Sequence, residues 1–150
     1  MSVGKKKRAT KGRPSKEKVE REVCRAEKHT MVFSLANITG DDEFNFRCFE
    51  SNPESANCAT QLFNKLRIMS SLSWEAFWGQ NKKHGPEVIP VDEFKQTFIN
   101  KLPFHIGKDE KLFSVRFNGQ NSRFIIKKGT KCGRVIYLVG IDYQLKLYKH

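Results

Sequence analysis

The sequence predicts an α+β domain behind a disordered basic arm: one or two N-terminal strands, two or three helices, and a C-terminal four-stranded antiparallel meander. Three observations predict this fold. Residues 111–150 alternate short apolar runs with turn residues, which is typical of antiparallel strands. Residues 54–70 carry apolar side chains at helical spacing. Residues 1–16 contain seven cations, no acidic residue and no apolar periodicity, as expected of a disordered tail.

The meander is predicted from four apolar runs separated by turn residues, at Leu112–Phe117, Phe124–Lys127, Val135–Asp142 and Leu145–Tyr148. The third run is apolar almost throughout, so we expect it to be the central strand, buried on both faces. In the first run, alternation places Arg116 on the face opposite the phenylalanines. We interpret that polar face as the working surface.

The segment before the meander predicts a strand followed by helices. The predicted elements are a strand at Thr30–Ile38, a second strand or extended loop at Phe44–Phe49, helices at Glu54–Ser70, Trp74–Gln80 and Val91–Ile99, and a loop at Asn81–Pro90 with a basic Lys82–His84 cluster. Ser73 is placed to cap the second helix. Its tryptophans favour core packing, with base stacking by one of them as the alternative.

Length and charge indicate one domain with a polyanionic partner. With 150 residues, we expect a single domain at 29–150, preceded by a basic arm and linker at 1–28. Residues 17–100 have a net charge of −3, whereas residues 101–150 have +8 and the whole chain +12. This uneven distribution favours nucleic acid as the partner and makes a membrane surface much less suitable.

Within the basic arm, Lys11-Gly12-Arg13-Pro14 resembles the core of an AT-hook. In such a motif the glycine permits close approach, the proline keeps the chain extended, and the arginine enters the negative minor groove. Lys11 and Arg13 are therefore candidate nucleic-acid contacts. The alternative is a general phosphate-binding or solubilising tail.

The cysteines and apolar runs predict a protein without metal or membrane segment. Cys24, Cys48, Cys58 and Cys132 show no CxxC spacing and no histidine at zinc-finger spacing. No apolar run is long enough to cross a bilayer. We therefore predict reduced thiols in a cytoplasmic setting, or a nuclear one in a eukaryotic host. The usual nucleotide-binding, zinc-protease and hydrolase motifs are also lacking, and no cofactor is predicted.

The runs SRFII and RVIYLV and the final YKH resemble the C-terminal half of RelE/YoeB-type toxins, which are ribosome-dependent messenger-RNA endonucleases. The resemblance covers about forty residues. It implies catalytic roles for Arg123, Tyr148 and His150, a phosphate contact at Arg134, and no metal. The same stretch looks like small proteins of phages and mobile elements.

The chemistry of such an endoribonuclease suits these residue types. An imidazole such as His150 serves as general acid or base near neutral pH, and Arg123 and Arg116 can stabilise a phosphorane. Tyr148 can orient the phosphate or stack on a base. Alternation places Lys146, Tyr148 and His150 on one face of the predicted last strand. Further cations on the meander are candidate nucleic-acid contacts, namely Lys127 and Lys128.

Three other interpretations remain open. The final Tyr-Lys-His can be a solvated strand end in which lysine guards the edge, with the arginines paired to Glu110 or Asp142. The protein can be a non-enzymatic DNA-binding or accessory protein that uses the basic arm. It can also be a mobile-element protein that binds and inhibits another protein, and an antitoxin is a candidate protein partner.

Overall fold

A computed structural model describes residues 29–50, 55–119 and 121–149. The predicted arm and linker at 1–28, including the candidate residues Lys11 and Arg13, lie outside these ranges, as does His150. The strands are β1 (Val32–Ser34), β2 (Pro86–Pro90), β3 (Lys111–Phe117), β4 (Ser122–Lys128) and β5 (Val135–Asp142), and the α-helices are α1 (Ser55–Met69), α2 (Trp74–Trp78) and α3 (Gln96–Asn100).

The five strands form one mixed sheet in the order β1-β5-β4-β3-β2. The pairs β2–β3, β3–β4 and β4–β5 are antiparallel, while β1 is parallel to β5. The predicted α+β class and C-terminal meander are thus confirmed. Every residue of β5 is buried, as the apolar run predicted, because β1 and β4 flank this strand and cores cover both faces.

Apolar side chains cover both faces of the sheet. One face packs against α1 and α2, with a core that includes Met31, Cys58, Leu62, Met69, Phe77, Phe117, Phe124 and Leu138. The other face is covered by α3, the segments around it and the C-terminal turn, through Phe44, Phe94, Phe98, Ile106, Leu112, Ile125, Val139, Leu147 and Tyr148. The prediction that this second face is an open polar surface is wrong, because residues 91–106 and 147–148 fold over it.

The helical hairpin follows the sequence prediction. The buried residues of α1 include Cys58, Leu62, Leu66 and Met69, which share one stripe at three- and four-residue spacing. The Ser73 hydroxyl accepts a hydrogen bond from the Ala76 N–H at 3.1 Å and so caps α2.

The predicted loop at Asn81–Pro90 is wrong over its second half, where β2 forms the fourth antiparallel strand. Its register with β3 pairs Glu87 with Ser114 and Ile89 with Leu112. Prolines are tolerated because β2 is an edge strand and they occupy its two ends. The fourth strand of the meander therefore precedes the other three in the chain.

Three other predicted elements differ from the structure. The strand at Thr30–Ile38 is reduced to β1, because the N–H of Ile38 bonds to the Leu35 carbonyl in a turn. Phe46–Phe49 form a 3₁₀ helix in place of a strand or extended loop, capped by the Asn45 side chain. The third helix is divided into a 3₁₀ turn at Val91–Glu93 and helix α3 by an extended Phe94.

The predicted last strand at Leu145–Tyr148 is a turn. Leu145 has a positive φ of 58°, which ends any extended strand there. Tyr148 instead forms an isolated antiparallel bridge with Phe94. Lys146 is exposed and Tyr148 buried, so the prediction that they share one open face is also wrong.

The prediction of reduced thiols holds for only part of the described chain. Cys48 and Cys58 are thiols, and burial raises the pKa of Cys48 to about 12. Cys132 is in a disulfide bond, which the spacing of the cysteines did not indicate.

Candidate nucleic-acid interface

A concave site lies between α1, the loop before β2, and the β3–β4 hairpin, with a volume of about 310 Å³. We call it the cationic groove. Its lining consists of Gln61, Asn64, Lys65, Arg67, Ile68, Lys83, His84, Arg116, Phe117, Asn118 and Gly119. Four of these residues are lysines or arginines, one is a histidine, and none is acidic. The groove therefore presents positive charge and amide groups.

Two segments place the lysines of the groove side by side. The Lys65 ammonium on α1 donates to the His84 carbonyl at 2.8 Å, which ties the helix to the loop. Burial lowers the pKa of Lys65 below its ordinary value. The loop turns at Asn81, whose carbonyl accepts from the His84 N–H and whose side chain accepts from the Lys83 N–H. This turn places Lys83 and His84 next to α1.

The hairpin that closes the groove turns at Asn118 and Gly119, which both have positive φ values of 52° and 60°. Asparagine and glycine are the residues that accept this conformation most easily. Arg116 lies just before the turn, and its guanidinium is 3.9 Å from the Glu87 carboxylate. This ion pair connects the groove to a row of charged residues that crosses the sheet.

The row, which we call the polar row, contains one charged residue from each antiparallel strand: Glu87, Arg116, Arg123 and Asp142. Arg116 is the direct register partner of Arg123, and Arg123 is that of Asp142. Two guanidinium groups therefore lie next to each other between two carboxylates. The side chain of Arg123 is only 9% exposed and donates to the Ser122 carbonyl at 3.1 Å.

Asp142 organises the C-terminal turn from inside the protein. Its two carboxylate oxygens accept hydrogen bonds from the backbone N–H groups of Lys146, at 2.7 Å, and Leu147, at 3.1 Å. The Leu147 carbonyl in turn accepts from the Lys95 N–H. The end of the described chain is therefore held against the polar row.

Tyr148 belongs to the same region. Its hydroxyl lies 2.6 Å from the Ser114 hydroxyl. Burial raises the pKa of Tyr148, and this effect is opposed by the Ser114 hydrogen bond and by the positive charge of Arg123. The structure thus brings the predicted residues Arg123 and Tyr148 close together, but in a largely buried place. His150, the third residue of that prediction, lies outside the described residues.

The other predicted contacts are spread over the molecule. Lys127 and Lys128 point to opposite faces of the sheet, one over the Phe104 ring at 5.9 Å and the other over the Trp74 ring at 4.8 Å. The Arg134 Nε donates to the Thr30 carbonyl at 3.1 Å. Lys146 is exposed on the C-terminal turn. Among the predicted cations that the structure describes, Arg116 alone lines the cationic groove.

Sequence reasoning did not assign the groove residues Lys65, Arg67 and His84 to a binding site. The cluster at Lys82–His84 was the one local signal for it. On α1, Arg67 is exposed on the side opposite the buried stripe, where solvated charge is ordinary, whereas Lys65 flanks the stripe and is half-buried. Their convergence depends on how the loop and hairpin pack, which no spacing in the sequence indicates.

Among the described residues, no group of three or more His, Cys, Asp or Glu side chains could hold a metal ion. No helix in that part of the chain is long and apolar enough to cross a membrane. Family models, curated proteins and solved structures give no match to this chain.

Proposed function

We propose that this protein binds nucleic acid, with single-stranded RNA as the preferred class, through the cationic groove. The observation that carries the proposal is the convergence of five basic residues from three segments on one concavity whose lining contains no acid. Phosphate contacts of this kind supply most of the affinity of nucleic-acid binding. Lysine and arginine are the side chains that form them.

The shape of the site favours a single strand. A duplex presents its phosphates on a convex cylinder, whereas the cations here line a concavity that the phosphate backbone has to enter. A flexible single strand can follow such a path, and positively charged grooves are the common means of holding one.

Charge removal inside and outside the groove tests this proposal. Arg67 and Lys83 are exposed, so the double variant Arg67→Ala/Lys83→Ala should fold normally. We expect it to weaken binding of a labelled 12-nucleotide RNA about tenfold or more in fluorescence anisotropy. The matched control, Lys101→Ala/Lys108→Ala, removes the same charge from exposed positions outside the groove lining. A loss as large in the control would reduce the effect to net charge and reject the groove.

A second candidate function, metal-independent endoribonuclease, is favoured by one further observation. Arg116 lines the groove and is also the register partner of Arg123, which lies beside Tyr148. A strand in the groove would bring a phosphate to Arg116 first, at the edge of the polar row. The resemblance to RelE/YoeB-type toxins assigns catalysis to Arg123, Tyr148 and His150.

The chemistry proposed for that site is attack of the RNA 2′-hydroxyl on its neighbouring phosphate. A base removes the hydroxyl proton, guanidinium groups stabilise the phosphorane, and an acid protonates the leaving 5′-oxygen. His150 would act as acid or base, and Arg116 and Arg123 as the cations. Tyr148 would orient the phosphate.

Cleavage and binding have to be measured on the same variants. With end-labelled RNA in the presence of a chelator, His150→Ala should lower cleavage about a hundredfold or more and leave binding within about twofold. Lys149→Ala is the control for the same chain end. Because RelE/YoeB-type toxins act on ribosomes, growth of bacteria expressing the parent or His150→Ala is scored in parallel. A parent protein that binds RNA but neither cleaves it nor slows growth would reject the enzyme and keep the binding protein.

A further inference from the structure

A second surface, on the face of the sheet that packs against α1 and α2, is built from aromatic rings. Trp74 and Trp78 of α2 lie nearly parallel, with ring centroids 6.0 Å apart and an interplanar angle of 26°. Phe113 of β3 meets both edge-on, at 5.0 Å and 5.8 Å. We call these three residues the tryptophan shelf.

The shelf exposes more aromatic surface than the packing of α2 requires. Phe77 on the same helix is completely buried in the core and anchors α2 there. Trp78, in contrast, is 50% exposed. A large ring held rigidly by a neighbour and open to solvent is a typical feature of a stacking platform.

A cation lies directly beside the shelf. The Lys128 ammonium is 4.8 Å from the centroid of the Trp74 ring. Gly133 leaves the room for this arrangement, since a Cβ there would lie 2.7 Å from Lys128 Cε. The concavity at the shelf, of about 300 Å³, is lined by Trp74, Glu75, Trp78, Phe113 and Lys128. A neighbouring one, of about 350 Å³, shares three of these residues and adds His29, Gly133 and Arg134.

We propose that the tryptophan shelf binds an unpaired nucleobase of the same strand whose backbone the cationic groove holds, with Lys128 on an adjacent phosphate. This inference rests on the function proposed above. A nucleotide offers a flat ring next to an anion, and the shelf offers flat rings next to a cation. The match in charge and shape is what singles out a base over an apolar protein segment.

The distance between the two sites fits one strand. Phe113 of the shelf and Phe117 of the groove lining lie on the same face of β3, four residues apart, which is about 13 Å along a strand. About four stacked nucleotides cover that length. The Glu75 carboxylate at the edge of the shelf can accept a hydrogen bond from an exocyclic amino group. Adenine and cytosine have such a group and uracil has none, so the proposal includes a preference for amino-bearing bases.

Tryptophan fluorescence reports on this surface alone, because the chain contains two tryptophans and both are in the shelf. The probes are a 12-nucleotide oligoadenylate and an RNA of the same length that carries abasic sites. We expect the oligoadenylate to quench the fluorescence and the abasic RNA to bind without quenching. Trp78→Leu should weaken oligoadenylate binding about tenfold, change abasic binding little, and leave the salt dependence unchanged.

Two further variants keep the result interpretable. Trp78→Phe retains an aromatic face and should keep binding within about threefold, even if Trp78→Leu lowers the yield of folded protein. Phe63→Ala removes another exposed ring, 57% exposed on α1, and should have no effect.

The outcomes of these experiments separate the shelf proposal from the groove proposal. If both RNAs bind equally without quenching, and Trp78→Leu binds them as tightly as the parent, the shelf proposal is overturned and the groove proposal stands. If the protein binds neither RNA, both proposals are overturned. If the protein self-associates, and Trp78→Leu abolishes this self-association without changing RNA binding, the shelf is a protein contact and the inference is overturned.

Discussion

At the scale of single residues, Tyr148 connects the C-terminal turn to the centre of the sheet. Its hydroxyl is 2.6 Å from the Ser114 hydroxyl, and Ser114 is almost completely buried. Neither hydroxyl can exchange this partner for water. The pair therefore contributes to stability whether or not Tyr148 also acts on RNA.

A double-mutant cycle measures this contribution. Tyr148→Phe should lower the free energy of unfolding by about 1–2 kcal/mol, because the Ser114 hydroxyl then stays buried without its partner. Adding Ser114→Ala to Tyr148→Phe should cost little more, since both polar groups are then gone. Urea unfolding of the two single variants and the double variant provides the values. Additive losses would show that the two hydroxyls do not interact.

The same tyrosine predicts a dependence on alkaline pH. Burial raises the pKa of Tyr148 above its ordinary value of 10.0, so the folded state holds the phenolic proton more tightly than the unfolded state. This stabilisation is present below pH 10 and is lost as the pH rises through the folded-state pKa. The stability difference between parent and Tyr148→Phe should therefore narrow above pH 10. The buried thiols titrate equally in both proteins, and a constant difference would contradict the expectation.

The positions of single residues could be predicted from the sequence only within elements that were themselves predicted. Alternation along β3 placed Arg116 opposite the phenylalanines, and the structure agrees, since Phe117 packs with the α1 core. The burial of the polar row could not be predicted, because residues 91–106 and the C-terminal turn cover it through tertiary packing that no local pattern indicates. Tyr148 is buried for that reason: it pairs with Phe94.

At the scale of elements, α3 packs on β5 where the Phe98 ring lies against Gly140. Phe98 is completely buried, and a Cβ at Gly140 would lie 2.5 Å from its Cε2 atom. Gly140→Ala should cost about 1–3 kcal/mol, since a ring packed on all sides cannot move away. Gly107→Ala is the control, because nothing lies within 4 Å of a Cβ there, and it should change stability by less than about 0.5 kcal/mol. Equal losses in the two variants would contradict this docking.

The edge strand β2 is a second test at this scale. Ile89 is 5% exposed and Val88 is 37% exposed, as alternation along a strand requires. Ile89→Ala should therefore cost about 2–4 kcal/mol, and Val88→Ala less than about 1 kcal/mol. Thermal unfolding of the two variants compares them directly. Similar small losses would mean that residues 86–90 form a surface loop, as their prolines suggested.

Elements with a strong local pattern were predicted, and those that depend on distant partners were not. Helix α1 and strands β3 to β5 carry periodic apolar residues and clear turns. β2 has prolines at both ends and becomes a strand only through its register with β3. The C-terminal turn forms because Asp142 accepts two backbone hydrogen bonds. No strand or helix pattern in the local sequence indicates these bonds.

At the scale of the whole molecule, the charge distribution favoured a polyanionic partner but did not indicate where on the fold it would bind. Net charge indicated the basic C-terminal third, and one of its cations, Arg116, lines the groove. The other groove cations come from the slightly acidic middle of the chain. The groove therefore exists only in the folded domain, whereas the basic arm at residues 1–16 carries its charge in any conformation.

This difference predicts two distinct salt dependences. Removing two phosphate contacts from a single strand should reduce the slope of log affinity against log salt by about 1.4. We expect this reduction for Arg67→Ala/Lys83→Ala with single-stranded RNA, and little change with duplex DNA. Under the interpretation of residues 1–16 as a general phosphate-binding tail, Lys11→Ala/Arg13→Ala should reduce the slope for both nucleic acids. Affinity measured from 50 to 300 mM salt gives the slopes. If the arm variant changed only duplex DNA binding while the groove variant changed neither slope, the arm would be the binding element and the protein a DNA binder.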